Sequence, residues 1–236
     1  MLETTLPPHG LEPANLQLRR TPPASSADAL PDLLLIERSR AGDERAIEAL
    51  IRRYGRRLFR VARSVLLDDE RAEAAVLEAY LAAFGDLNRY EPTGKFAAWL
   101  TRLAFSQARA LQAAGRGAPK GAATANGAER EPAESERLEL EQTLAALPEV
   151  FRTVYVLRMI EGISGIETAA CLGLHETTVR TRLFRAHRRL SADTPQRLRS
   201  VAGVLDLSAA RLERIVGRAL AQLPHGSMLT ISASAP

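Results

Sequence analysis

Apolar residues recur every three or four positions through the central part of this 236-residue chain, and that spacing fits an α-helix. One long stripe consists of Ile47, Leu50, Ile51, Tyr54, Leu58, Val61 and Val65. Further stripes follow at 76–87 and 96–111. Alanine, leucine and arginine dominate the composition, which favours helix, and we find no run of alternating β-branched residues that predicts a sheet. The sequence therefore predicts an all-α protein.

Capping residues and helix breakers divide these stripes into separate helices. Asp43 precedes the first stripe and Asp68 precedes the second, where a carboxylate can accept a hydrogen bond from an unpaired N–H of the first turn. A loop at 88–94 contains proline and glycine and separates the second stripe from the third. Together with a short opening helix, these features predict a four-helix domain over residues 31–114.

Composition divides the rest of the chain into four segments. The proline-rich residues 1–30 are predicted to form a disordered arm, and residues 115–133, rich in glycine and alanine, a flexible linker. Residues 134–190 carry a second set of helical stripes and are predicted to form a second small domain. Residues 191–236 are predicted to be a tail that contains one amphipathic helix.

Charge and reactive side chains exclude several classes of protein. The formal net charge is only +4, which does not by itself indicate nucleic-acid binding. A single cysteine excludes an intrachain disulfide and a cysteine-based zinc site, and the four histidines form no metal-ligand pattern. We find no nucleophile paired with a base and no phosphate-binding glycine loop, so we expect neither catalytic activity nor a cofactor. Because no apolar run could span a membrane and no signal-peptide pattern opens the chain, we expect a cytoplasmic protein.

The stretch from residue 162 to residue 190 has the pattern of a helix-turn-helix. Ser164 stands three residues before Glu167, which is a capping box that begins a helix. That helix ends near Gly173, where glycine can adopt the left-handed conformation of a tight turn. A second helix begins near residue 177, and its apolar face consists of Val179, Leu183, Ala186 and Leu190. The second domain is therefore predicted to end in a helix-turn-helix.

The opposite face of that second helix is predicted to bind DNA. Between residues 177 and 190 there are five arginines and no acidic residue, a local charge that suits phosphate. Threonine and arginine near the start of a recognition helix can contact base edges in the major groove. The candidate contacts are Thr177, Thr178, Arg180, Thr181, Arg182, Arg185, Arg188 and Arg189. An arginine-rich amphipathic helix can also be a solvated surface, and the arginines alone leave both interpretations open.

Several single residues have plainer interpretations. Trp99 and Cys171 are predicted to be core residues, because each lies on an apolar stripe. Tyr90 could stack on a base or cover the core, and the sequence leaves both open. Glu73 and Glu78 could be the solvated face of an amphipathic helix.

The second domain resembles region 4 of the extracytoplasmic-function (ECF) sigma factors of bacterial RNA polymerase. The matching residues are Leu147, Pro148, Arg152, Val156, Leu157, Glu161, Gly162, Ser164, Glu167, Ala169, Leu172, Gly173, Thr178, Val179, Arg180, Arg182, Leu183, Arg185 and Ala186. The first domain resembles region 2 of the same family at Arg40, Ala41, Gly42, Asp43, Ala46, Leu50, Tyr54, Leu58, Ala72, Glu73, Val76, Glu78, Phe84, Leu87, Phe96, Trp99, Leu100, Leu103 and Ala104. The two matches occur in the family's order.

This resemblance implies a set of partners and contacts. Region 2 would dock on the β′ clamp of core RNA polymerase through Glu73, Leu77 and Glu78. Region 4 would bind the β flap and place its recognition helix in the −35 element of promoter DNA. An anti-sigma factor is a further implied partner. The −10 element would be opened and captured by Asn88, Arg89, Tyr90, Lys95, Arg102, Ser106 and Arg109.

The chain departs from the family pattern in region 2. Ala74 and Leu77 stand where the family usually has Asp and Gln, and Ser106 and Ala110 stand where it has Asn and Asp. The basic pair that often closes the −10 helix is replaced by alanines. These changes remove polar contacts, and they indicate a weak or specialised sigma factor.

Three other functions compete with this interpretation. A dimeric helix-turn-helix regulator could have the same recognition helix, but such regulators commonly carry an α/β ligand or phosphoacceptor domain, whose pattern we do not find. An enzyme would need a catalytic constellation, and none is visible. A helical adaptor that has lost DNA binding would not need the arginine-bearing helix.

Overall fold

The computed structural model describes residues 30–91, 95–115, 132–201 and 203–223. These residues form ten α-helices with a 3₁₀ turn at Leu87–Arg89 and a π-helical turn at Val156–Ile160. The helices are α1 (Asp32–Arg40), α2 (Glu44–Leu66), α3 (Asp69–Gly85), α4 (Phe96–Ala114), α5 (Pro132–Ala145), α6 (Glu149–Tyr155), α7 (Gly165–Leu172), α8 (Glu176–His187), α9 (Thr194–Ser200) and α10 (Ala209–Gln222). The all-α prediction is confirmed.

Two of the predicted segments fall largely outside the described residues. The predicted arm at 1–30 is described only at its last residue. The predicted linker at 115–133 is described at Gly115, which follows α4, and from residue 132, where α5 begins. Helix α5 therefore begins two residues before the predicted start of the second domain at residue 134.

Capping residues start the long helices where the sequence places them. The Asp43 carboxylate accepts a hydrogen bond from the Arg45 N–H at 3.0 Å. The Asp68 carboxylate accepts one from the Arg71 N–H at 2.8 Å. Each cap satisfies an N–H of the first turn that has no partner within the helix.

Helices α1–α4 form what we call the first helical group. Alanines along α3 let it approach α2 and α4 closely, and the fully buried side chains between them include Leu50, Leu58, Tyr80 and Leu100. The Tyr80 hydroxyl donates to the Ile51 carbonyl at 3.0 Å, so this large buried side chain leaves no polar atom unpaired. Helix α1 closes the group through the carboxylate of Asp32, which accepts hydrogen bonds from Tyr54 and Arg53.

Helices α5–α9 form the second helical group. Leu140 and Leu144 of α5 are fully buried against Tyr155, and the same cluster contains Ala186 of α8. The sequence predicts one helix in the tail, whereas the described tail contains two. The additional helix, α9, is seven residues long and has few apolar residues, so its periodicity is weak. It is attached to α5 by Arg197, which forms ion pairs with two glutamates there.

The two helical groups share a buried interface that the sequence did not predict. Val61 of α2 and Ala98 of α4 lie in one apolar cluster with Val154, Leu157 and Cys171 of the second group. Ion pairs surround this cluster, for example Arg60 to Glu161 at 2.7 Å. In this arrangement α4 packs on α7, and α2 packs on α6.

Arg152 ties the second group to the first. Its side chain is 4% exposed and donates to the backbone carbonyls of Ser64, Ala145 and Leu147. Burial lowers the pKa of its guanidinium to about 10, which still leaves it charged at neutral pH.

We predict that Arg152→Met lowers the free energy of unfolding by about 3 kcal/mol, because three buried carbonyl groups lose a charged donor. Chemical denaturation followed by circular dichroism measures this. Arg45→Met, on an exposed side chain of α2, is the matched control and is expected to change stability by less than about 0.5 kcal/mol. Equal effects of the two substitutions would contradict the structural role of Arg152.

Candidate nucleic-acid interface

Helices α7 and α8 form the predicted helix-turn-helix. The Ser164 hydroxyl accepts a hydrogen bond from the Glu167 N–H at 3.1 Å and caps α7. Gly173 ends that helix with a φ of +64°, in the left-handed region where a side chain would be strained. The Leu174 N–H donates to the Ala169 carbonyl at 2.9 Å, which closes the turn before α8 begins at Glu176.

One face of α8 is buried, as its apolar stripe predicts. Val179 is 1% exposed and Ala186 is fully buried, while Leu183 is half-buried between the two apolar clusters of the second group. Leu190 lies beyond the end of α8 and packs, half-buried, on the cluster around Tyr155. These contacts fix which side of α8 faces outward.

The outward side of α8 is cationic. Thr177, Arg180, Thr181, Arg185, Arg188 and Arg189 are exposed, and Thr178 and Arg182 are half-buried. The Thr181 hydroxyl donates to the Thr177 carbonyl at 2.9 Å. Arg182 lines a cleft between α8 and α4 that also contains Phe105, Arg109 and Glu149. Six of the eight predicted side chains lie on α8, and Arg188 and Arg189 follow directly after its last residue. Thr178 and Arg182 are less accessible than the other six.

Phe184 lies on the same outward side and was not selected from the sequence. Its side chain is 61% exposed, and the Arg188 guanidinium carbon lies 5.9 Å from the centre of its ring. A large apolar residue between arginines on a recognition helix can contact a thymine methyl group. Its exposure could have been predicted from the sequence, because Phe184 lies outside the apolar stripe of α8.

The residues predicted to contact the −10 element lie along α4 and the loop before it. Asn88, Arg102 and Ser106 are exposed, while the side chain of Arg89 lies outside the part that the structure describes. Tyr90 is 8% exposed and packs against Trp99 and Phe96, with ring centres 4.7 and 5.3 Å apart. Tyr90 thus covers the core in this arrangement, and Trp99 is half-buried beside it.

Two cations of that set are paired with carboxylates of the second helical group. Lys95 Nζ lies 3.1 Å from a carboxylate oxygen of Glu167, and Arg109 Nη1 lies 2.8 Å from one of Glu149. The Glu167 side chain also lies 3.5 Å from Arg57. Lys95 and Arg109 therefore lie beside the second group, while Arg102 and Ser106 remain exposed.

The residues predicted to bind polymerase lie on α3. Glu78 is exposed, whereas Glu73 is 6% and Leu77 is 2% exposed. Arg214 donates two hydrogen bonds to the Glu73 carboxylate, and Arg211 donates one, at distances of 2.7 to 3.1 Å. The hydrogen bond from Arg214 holds the pKa of Glu73 below its usual value. The contact between the tail and this surface was not predicted from the sequence.

Two other side chains that could be reactive, Cys171 and His187, lie near the interface. Cys171 is fully buried in α7, and burial raises the pKa of its thiol to about 11. The His187 ring packs edge-on against Tyr155 at 5.3 Å, and partial burial lowers the pKa of this imidazole. Within the described ranges no group of three His, Cys, Asp or Glu side chains is placed to hold a metal ion. None of the described helices is both long and apolar enough to span a membrane.

This fold and its cationic recognition helix define a helix-turn-helix DNA-binding protein. Two family models match the chain, namely Sigma-70 region 2 at residues 50–113 and Sigma-70 region 4 at residues 137–190. The RNA polymerase sigma-H factor of Pseudomonas aeruginosa is 31% identical over 172 residues, which cover 66% of this chain and 89% of that protein. The ECF RNA polymerase sigma-E factor of Escherichia coli is 32% identical over 178 residues, which cover 68% of this chain and 92% of that protein.

A solved structure agrees with these relatives. CnrH, determined in complex with the cytosolic domain of CnrY, is 31% identical with a TM-score of 0.54, over 68% of this chain and 95% of CnrH. The chain belongs to the ECF family of RNA polymerase sigma factors. Like other sigma factors it acts in transcription initiation as a non-catalytic subunit of the polymerase.

We predict that Cys171 reacts about 100-fold more slowly with a disulfide reagent at pH 8 in the native protein than in the unfolded chain. The reason is that burial raises the pKa of this thiol from 9.0 to about 11, so that about 100-fold less of it is present as the reactive thiolate. The release of the chromophore from the reagent, followed with and without denaturant, measures this difference. Equal rates would show that the thiol is accessible and contradict its place in the core.

Proposed function

We propose that this sigma factor works in the cytoplasm and reads the −35 element of its promoters with the outward face of α8. The observation that carries the proposal is the orientation of that helix. Burial of Val179 and Ala186 leaves the threonines and most of the arginines of α8 on a surface without a single acidic side chain between residues 177 and 190.

Position along α8 divides its side chains into two roles. Thr177, Thr178, Thr181, Arg182 and Arg185, with Phe184, lie where a recognition helix enters the major groove, and we assign them to base edges. Arg180, Arg188 and Arg189 lie at the flank and the end of the helix, and we assign them to phosphates, which add affinity and salt dependence but little specificity.

The remaining site assignments belong to residues 31–114, which we propose act as region 2. The face of α4 with Lys95, Arg102, Ser106 and Arg109, together with the loop from Asn88 to Tyr90, would capture the −10 element. The surface of α3 around Glu73, Leu77 and Glu78 would bind the β′ clamp. Because Tyr90 is buried against Trp99, its hydroxyl edge can reach DNA only if the loop shifts.

Part of the −10 face is paired with the second helical group in the compact arrangement. Lys95 and Arg109 are paired with Glu167 and Glu149 across the contact between the two helical groups, so we propose that the groups separate when both promoter elements are bound. The 16 residues at 116–131 can extend to about 55 Å, which allows such a separation.

Control by a partner protein is a further part of the proposal. CnrH, which shares this fold at 31% identity, was determined in complex with the cytosolic domain of CnrY. We therefore propose that an anti-sigma factor also binds this chain.

In vitro transcription tests the proposed function. Purified chain is added to bare core polymerase with a library of genomic promoter fragments, and the transcripts are sequenced. We expect a defined set of start sites that is absent with core polymerase alone. DNA binding that never produces polymerase-dependent start sites would instead indicate an operator-binding regulator.

We predict that Arg185→Ala weakens binding to the −35 element by about 1–3 kcal/mol, as expected for an arginine that contacts a base. Arg182→Ala is expected to act in the same direction with a smaller effect, since that side chain is half-buried in the cleft beside α4. Fluorescence anisotropy at fixed salt measures both. The control is Arg45→Ala, an exposed arginine of α2. A loss that is the same for all three arginines would contradict base recognition by α8.

A further inference from the structure

Helix α10 returns from the end of the described chain and packs on the first helical group. It lies against α2 and α3, and its buried side chains Ile215, Val216 and Ala219 belong to the same core cluster as the side chains of α1–α4. A β-carbon built on Gly55 of α2 would lie 3.0 Å from a methyl carbon of Leu212, so this glycine allows the close approach.

Ion pairs surround the apolar contact on both sides. Arg211 of α10 lies 2.8 Å from Glu70 and 3.1 Å from Glu73 of α3. On the α2 side, Arg52 forms a two-armed contact with Glu213 of α10, at 2.6 and 2.8 Å. Helix α10 contributes the basic partner on the α3 side and the acidic partner on the α2 side. The ion pairs therefore specify one orientation of α10 on α2 and α3.

The covered surface is the one that the proposed function assigns to polymerase. Glu73 is held by both Arg211 and Arg214, and Leu77 is buried in the cluster to which α10 contributes. Neither side chain can contact another protein while α10 is in place. Glu78 remains exposed at the margin of the same helix.

We infer that α10 is an internal competitor of core polymerase, which occupies the clamp-binding surface of α3 until it is displaced. This inference rests on the proposed function of that surface. Core binding then requires two steps, release of α10 and docking of the clamp, and the apparent affinity is lowered by the fraction of molecules in which α10 is released.

The competition depends on α10 being helical. The stability of this helix can be changed at a position whose side chain makes no contact with the rest of the protein. Gly217 lies in the middle of α10 on its exposed side, and a β-carbon built there meets no atom within 4 Å. Proline at this position removes a helical hydrogen bond and clashes with the preceding turn. Alanine instead strengthens the helix, because it has less conformational freedom to lose.

The experiment compares core-polymerase affinity for the full chain carrying Gly217→Pro or Gly217→Ala. We expect G217P to bind core polymerase about tenfold or more tightly than the unmodified chain, which corresponds to about one released molecule in ten before substitution. G217A is expected to bind the same or up to about fivefold more weakly. Biolayer interferometry gives the affinities, and hydrogen exchange of 209–222 reports whether α10 has been released.

A second pair of variants keeps α10 helical. Arg211→Glu with Arg214→Glu places two new carboxylates against those of Glu70 and Glu73. Arg218→Glu makes the same kind of change at an exposed position of the same helix. The double variant should gain core affinity and R218E should not. Circular dichroism tests whether the first helical group of each variant remains folded. If Gly217→Pro unfolds that group, the core affinities of the two charge-reversal variants test the competition instead.

The outcomes separate the two proposals. If α10 is released and core affinity is unchanged from the unmodified chain, the competition is refuted while the sigma-factor assignment of the surface stands. If neither the unmodified chain nor any folded variant binds core polymerase, the proposed surface itself is wrong.

Discussion

Helix α2 is the surface on which the rest of the molecule is assembled. One side of it packs on α3 and α4, another on α6 and the π-helical turn, and a third on α10. A polar residue of α2 is buried as well, since Ser64 is fully buried. The backbone carbonyl of Ser64 accepts a hydrogen bond from Arg152. A helix of 23 residues that is buried on several sides fixes the position of the elements packed against it. The recognition helix α8 is positioned indirectly, because it packs on α6 and α7.

Local features of the fold were predictable from the sequence because their causes are local. The caps at Asp43, Asp68 and Ser164 each depend on an N–H within three residues, and the turn at Gly173 depends on the conformation of one residue. The buried face of α8 followed from a spacing that the helix imposes on its own side chains. For the same reason the exposed threonines and arginines of that helix could be selected before the structure was known.

The contacts between elements were not predictable in this way. Val61 belongs to the stripe of α2, but its partners Leu157 and Cys171 lie about a hundred positions later, and no local pattern indicates that they meet. Glu73 has the appearance of a solvated acid on an amphipathic helix, and only the arrival of Arg211 and Arg214 buries it. Tyr90 had two possible places, and the rings of Phe96 and Trp99 determine which one it takes. The sequence therefore predicted which side chains belong to the candidate site, but not which of them are exposed to a partner.

The carboxylates of Glu149 and Glu167 pair with Arg109 and Lys95, two cations that the proposed function assigns to the −10 element. On that proposal, each carboxylate occupies the position that a DNA phosphate would take beside its cation. A polyanion of higher charge density displaces such substitutes by mass action. If the proposed −10 contacts are made, promoter DNA binds more tightly to a form of the chain in which these ion pairs are broken, and its binding shifts the population toward that form.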